Sequence, residues 1–161
     1  MKPIVAILMG SDSDAESLKP CGEILREFNI PFIARVLSAH RTPNETISFT
    51  QAAKKKGIKV IIAAAGGAAH LAGVVAANTE LPVIGIPVKT SAFKGIDSLL
   101  STLQMPAGTP VATVAVGSGG VKNAAFLAIR ILALQDSKLT KALQEFKESN
   151  KKKILKKKVN I

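Results

Sequence analysis

Ile4-Val5-Ala6-Ile7-Leu8-Met9 runs straight into Gly10-Ser11-Asp12-Ser13-Asp14, and the reading of this one stretch decides the fold. Six apolar residues in succession, with no polar alternation, suit a strand buried on both faces, and the small polar residues after it open a helix. Four further segments have the same character: Phe32 to Leu37, Val60 to Ala64, Val83 to Val88 and Val111 to Val116. Each pair is separated by enough chain for a helix. The alternation predicts an α/β protein with a central parallel sheet and helices on both faces, because right-handed crossovers gather all strand C-termini on one edge.

The helices announce themselves by their starts. Ser13-Asp14-Ala15-Glu16 has the Ser-x-x-Glu form of a capping box, and Thr42-Pro43-Asn44-Glu45 repeats it with proline at the favoured first position. Pro20 removes an amide donor, so the first helix is expected to kink or to begin late. Ala124, Leu127, Ala128, Ile131 and Leu132 share one face of a helix over Asn123 to Leu134. A last helix from about Lys138 carries Leu139, Leu143 and Phe146 on one side, and a helix that long after a finished sheet is a surface for a neighbouring subunit.

The 161 residues make one domain, 1–161, ending in a lysine-rich helix or tail from about 138. Hydrophobic residues are 47% of the chain but aromatic ones only 4%, so the core must be Ala, Val, Ile and Leu packed between layers. No apolar run approaches the roughly 20 residues of a membrane span. The start of the chain has no cleavage-type signal. The single cysteine, Cys21, cannot pair internally, which together places the protein in a reducing, cytoplasmic compartment and gives Cys21 a structural role. The net charge of +11 is concentrated in the tail: Lys147 to Lys158 holds seven lysines and Glu148, and without it the charge falls to +5. With no aromatic residues interleaved, that tail is a solvated face and no nucleic-acid partner is expected.

Function is sought in the strand-to-helix loops, where ligands of open parallel sheets bind. Ser11, Asp12, Ser13 and Asp14 stand at a helix start, whose free amides and dipole suit a phosphate or ribose; equally, they serve as cap and turn residues. Ser38-Ala39-His40-Arg41-Thr42-Pro43 is harder to explain by folding alone. It sets a proton-exchanging imidazole beside a planar anion-binding fork, although a carbonyl-bonded histidine and a surface arginine would read the same. Ala65-Gly66-Gly67-Ala68-Ala69-His70-Leu71 is nearly free of side chains before His70, which lets backbone approach a flat ring or lets a helix pack tightly. Neither histidine has a second ligand at metal spacing, so no metal is expected.

Taken in order, Gly10 to Asp14 (GSDSD), Ser38 to Pro43 (SAHRTP) and Ala65 to Gly73 (AGGAAHLAG) resemble the N5-carboxyaminoimidazole ribonucleotide mutases of purine biosynthesis. Pro87 to Lys89, Gly95 to Ser101 and Gln104 to Pro106 extend the resemblance over at least Ile4 to Leu143. It implies a flavodoxin-like three-layer α/β/α sandwich, a cytoplasmic homo-octamer with sites between subunits, and no cofactor. It also implies that the enzyme interconverts N5-carboxyaminoimidazole ribonucleotide and 4-carboxy-5-aminoimidazole ribonucleotide on the way to IMP. On this resemblance His40 is the general acid and base, and Ser11, Asp14, Ser38 and Arg41 bind the ribonucleotide. The Gly66 to Leu71 loop covers the imidazole, with His70 in a contact or gating role.

Two departures stand out: Ala72 occupies a position where proline is common, which should loosen the covering loop, and Gly117 to Gly120 is richer in glycine than usual. A sister form that carboxylates aminoimidazole ribonucleotide directly with CO2 tends to read SAHKT, with Arg-Ser-Asn where Gly67 to Ala69 stand here. Arg41 and Gly67-Ala68-Ala69 side with the mutases. Direct carboxylation and a non-catalytic nucleotide-binding module are the alternatives.

Overall fold

The computed structural model describes residues 2–157 and Val159, so Lys158, the last lysine of the tail, lies outside the described residues. Strands β1 (Val5–Met9), β2 (Phe32–Val36), β3 (Val60–Gly66), β4 (Val83–Val88) and β5 (Ala112–Thr113) form one sheet. They alternate with helices α1 (Ala15–Glu27), α2 (Pro43–Ala53), α3 (Leu71–Ala76) and α4 (Ile96–Leu103), followed by α5 (Ser118–Ala133) and α6 (Ser137–Leu155). All strand pairs are parallel and the order is β2-β1-β3-β4-β5. This is the doubly wound flavodoxin-like arrangement.

The unbroken apolar runs bury both faces of the sheet. Val5, Ile7 and Met9 of β1, with Val60, Ile62 and Ala64 of β3, pack under α1 and α5. Ala6, Leu8, Ile61 and Ala63 point the other way, under α2 and α3. Each fully buried Leu or Ile contributes about 1.5–3 kcal/mol, so these central strands anchor the three layers. Gly85 shows how close the layers come: a Cβ there would collide with the Thr102 methyl and lie 2.8 Å from Val111 Cγ1. Cys21 is fully buried in the α1 layer, and burial pushes its thiol up to about 12.

Several expectations are corrected by the structure. The fifth strand is two residues long rather than spanning Val111 to Val116. It lies at the sheet edge, and after Val114 donates to the Gly85 carbonyl the chain turns towards α5. There Gly120 meets the Ala115 carbonyl so closely that a Cβ would overlap it. The first capping box is formed by Ser11 and Asp14 around a 3-10 turn over Asp12–Asp14, two residues before the expected Ser13 pair. The Thr42 box does not form, because its hydroxyl is used elsewhere. Finally, α1 begins ahead of Pro20 rather than late, and Pro20 lies inside it. The amide it lacks would have bonded the carbonyl of Glu16, an exposed residue.

On α5, Ala124, Ala128 and Leu132 are buried as expected, while Leu127 and Ile131 are half-buried at its flank. Leu139, Leu143 and Phe146 of α6 pack on the chain's own α1 layer, with Phe146 against Phe28 and Phe126 at ring-centroid distances of 6.0 and 4.7 Å. Among the described residues, no helix is long and apolar enough to cross a membrane.

Candidate active site

The winding reverses between β1 and β3: the chain leaves β1 into α1 on one face and leaves β3 into α3 on the other. The loops that leave the C-terminal ends of these strands therefore diverge to opposite faces and leave a crevice, the ordinary ligand position in such sheets. A cleft of about 460 Å³ opens there. It is lined by Gly10, Ser11, Ser13 and Asp14 after β1, Ser38 to Arg41 after β2, and Ala65, Gly66, Ala68 and Leu71 around the end of β3.

Both readings of the first loop hold at once. Ser11 accepts from the Ser13 amide at 3.3 Å, and Asp14 Oδ2 accepts from the Ser11 amide at 3.2 Å, so these residues cap the turn while facing the cleft. Burial raises the Asp14 carboxyl above its usual range, opposed by the Ser11 amide and the Arg41 charge.

The second loop is knotted by hydroxyls. The Ser38 amide donates to Thr42 Oγ1 at 2.8 Å, and the Ser38 carbonyl accepts from the Thr42 amide at 3.0 Å and from Thr46 Oγ1 at 3.3 Å. Ser38 Oγ in turn accepts from the Arg41 backbone amide at 3.2 Å and from Arg41 Nε at 3.4 Å. Arg41 Nη2 donates to the Gly10 carbonyl. The guanidinium is thus braced between the first two loops, and its Nη1 donors have no partner among the described residues.

His40 reaches across to the third loop. Its Nε2 lies 2.8 Å from Nδ1 of His70, with the rings 82° apart, a hydrogen bond in which one nitrogen carries the proton and the other accepts it. Gly67, with φ of +65°, makes the reversal that brings His70 back; left-handed backbone of this kind favours glycine. Strand β3 continues through Gly66, so the free loop is shorter than the Gly66 to Leu71 stretch read from sequence. Ala72 lies in the first turn of α3, buried against Gly85, rather than in the loop.

Ser11, Asp14, Ser38, His40, Arg41 and Gly66 thus all line one cleft, and His70, which does not line it, joins through His40. Gly117 to Gly120 lie elsewhere, at the start of α5. Thr42 and Thr46 escaped the sequence reading as loop-holding residues. Their signal was there: with Ser38 they place hydroxyl residues four apart, the spacing at which a helical turn brings side chains onto preceding carbonyls. Ser101, which bonds the Ala69 amide from α4, had no comparable signal.

Fold and site together define a doubly wound α/β protein with a polar switch-point cleft equipped for both anion binding and proton exchange. The chain belongs to the AIR carboxylase family, whose pattern matches residues 4–153. It is 51% identical over 155 residues to the N5-carboxyaminoimidazole ribonucleotide mutase of Bacillus subtilis, covering 96% of each chain. It is also 51% identical over 146 residues to the phosphoribosylaminoimidazole carboxylase of Saccharomyces cerevisiae, covering 91% of this chain and 25% of that longer protein. Among solved structures, Treponema denticola PurE superposes with a TM-score of 0.86 at 33% identity, covering 95% of this chain and 94% of that one.

Proposed function

We propose that this protein is an isomerase that interconverts N5-carboxyaminoimidazole ribonucleotide and 4-carboxy-5-aminoimidazole ribonucleotide in purine biosynthesis. The observation that carries the reading is His40 beside the braced Arg41 in the switch-point cleft of a member of this family. Arg41 takes the phosphate through its open Nη1 edge, with Ser11 and Ser38 beside it, and Asp14 takes a ribose hydroxyl. This remote binding holds the aminoimidazole ring against His40.

The reaction needs one proton moved twice. The imidazolium form of His40 gives a proton to the exocyclic nitrogen as the carbamate C–N bond breaks, releasing CO2 within the pocket. Ring carbon C4 then attacks the CO2 with the electron density of the enamine-like ring, and neutral His40 removes the C4 proton, which regenerates the imidazolium. In this mechanism the 2.8 Å His40–His70 bond takes the tautomer in which His70 Nδ1 accepts, which keeps a proton on His40 Nε2 in both stages. Nδ1 of His40 is then the atom that gives and takes. The carboxyl group arrives activated as a carbamate, so the chemistry calls for proton transfer and confinement of CO2, which Gly66 to Ala69 assist by bringing bare backbone close.

The enzyme works as a cytoplasmic homo-octamer with its sites near subunit boundaries. Supporting this, Phe93, Ile96, Leu100 and Leu103 expose half or more of their surface along one side of α4 and the loop before it. Light scattering on the purified protein tests the assembly.

The activity is tested by supplying fresh carbamate substrate without bicarbonate and following the C4-carboxylated product, with His40→Asn in parallel. Product from the parent alone supports the mutase and the role of His40. Product only from the decarboxylated ribonucleotide with high bicarbonate points to direct carboxylation, and none in either assay leaves a nucleotide-binding module.

A further inference from the structure

His70 can hold His40 only if its loop is itself held, and the loop has little with which to hold itself. Gly67, Ala68 and Ala69 offer no polar side chains, and a Cβ built on Gly67 would touch nothing within 4 Å. The polar tie comes from far along the chain. The Ala69 amide donates to Ser101 Oγ on α4 at 3.1 Å, and Ala69 itself is 1% exposed, so no water can take that donor.

The Ala69 amide can only donate, and the other contacts of Ser101 leave its oxygen free to accept. The Ser101 hydroxyl faces the Asp97 carbonyl at 2.6 Å, with the Gly67 and Ser98 carbonyls farther at 3.3 and 3.4 Å, so donation to the nearest leaves a lone pair for the Ala69 amide. The support behind Ser101 is firm as well. Ser98 Oγ, one turn earlier on α4, donates to the Val88 carbonyl at 2.7 Å, and the Thr90 hydroxyl donates to the Asp97 carboxylate at 3.1 Å. The end of β4 therefore holds α4, α4 holds Ala69, and the next residue, His70, holds His40.

We propose that Ser101 is a positioning residue, a latch from α4 that keeps the covering loop down so that His70 fixes the His40 ring and CO2 stays in the pocket. The inference rests on the mutase reading for its catalytic consequence but not for the latch itself. Without the latch, the loop lifts and part of the CO2 escapes before C4 can attack. The aminoimidazole ribonucleotide is then left behind, carrying on its exocyclic nitrogen the proton that His40 supplied.

Ser101→Ala and Ser101→Thr, each on the full chain, test this. The alanine variant should lower kcat about tenfold, the scale of one lost hydrogen bond, with KM little changed. It should also divert isotopically labelled carboxyl from the C4 product into bulk CO2. In the ligand-free protein, the ring-nitrogen NMR signals of His40 and His70 should move. The threonine variant keeps the hydroxyl and should restore all three. Unmoved imidazole signals in a folded alanine variant overturn the latch, whatever the activity. Moved signals without mutase turnover in the parent uphold the latch and overturn only the mutase reading. Equal losses in the alanine and threonine variants overturn the hydroxyl's role.

Discussion

Residues 38–42 and residues 66–70 both leave the carboxyl edge of the sheet and meet where His40 bonds His70, yet they are secured differently. The first loop is tied to its own helix: Ser38, Thr42 and Thr46 bond one another within eight residues of chain. The second is tied to α4, more than thirty residues on, by the single hydroxyl of Ser101. A self-tied loop is ordered as soon as its helix forms. A loop tied at a distance is ordered only when the layers are assembled, which suits the opening for substrate and closing over CO2 that the proposed mechanism asks of this segment.

The comparison breaks most completely at its shared point. His40→Asn should cut turnover by about 10³-fold or more while nucleotide affinity, read by calorimetry, stays within a few-fold. Retained turnover would remove the acid–base role from the first loop altogether. Arg41→Ala comes next: KM should rise roughly 10- to 100-fold, the scale of charge-assisted hydrogen bonds, with a smaller effect on kcat. A purely catalytic defect with unchanged KM would contradict phosphate binding by this side chain.

The tethering contrast itself is sharpened by two milder substitutions. Thr46 is fully buried, and Thr46→Val removes the hydroxyl shared with the Ser38 and Thr42 carbonyls, so denaturant unfolding should show a loss of about 1–2 kcal/mol. Gly67→Ala meets no steric neighbour and should cost only about 1 kcal/mol of left-handed backbone strain. Its effect should fall mainly on carboxyl retention. If Gly67→Ala destabilises the fold more than Thr46→Val does, the two loops are not held as described.

Cys21 lies away from both loops and supplies the smallest effect. Burial favours its neutral thiol, so the folded protein should resist thiol reagents at pH 8 and react promptly once unfolded. Because the folded-state value is raised, the stability it contributes is whole below its ordinary 9.0 and is lost as pH rises towards about 12. A Cys21→Ser variant should lack that alkaline decline.

Much of this was legible in the residues. Unbroken apolar runs between capped helices can hardly be anything but buried parallel strands, because a strand with both faces covered needs no polar alternation. The candidate residues could be singled out for a related reason: all three loops fall on one edge because parallel strands all end there, and the cleft forms at that edge, where the structure does bring Ser11, Asp14, Ser38, His40, Arg41 and Gly66 together. What lay hidden were the ties. Pro20 sits within α1, one turn after the exposed Glu16, and β5 is short where the chain turns and Gly120 meets Ala115.

The sequence by itself determined the layers, the edge on which the candidate loops gather and the residues that stand there, since periodicity, capping and side-chain chemistry are local properties. Only the tertiary structure decided that His70 bonds His40 and that Ser101 holds the loop between them. Those contacts join residues thirty or more apart, and their formation depends on how the layers pack against one another rather than on any pattern within one segment.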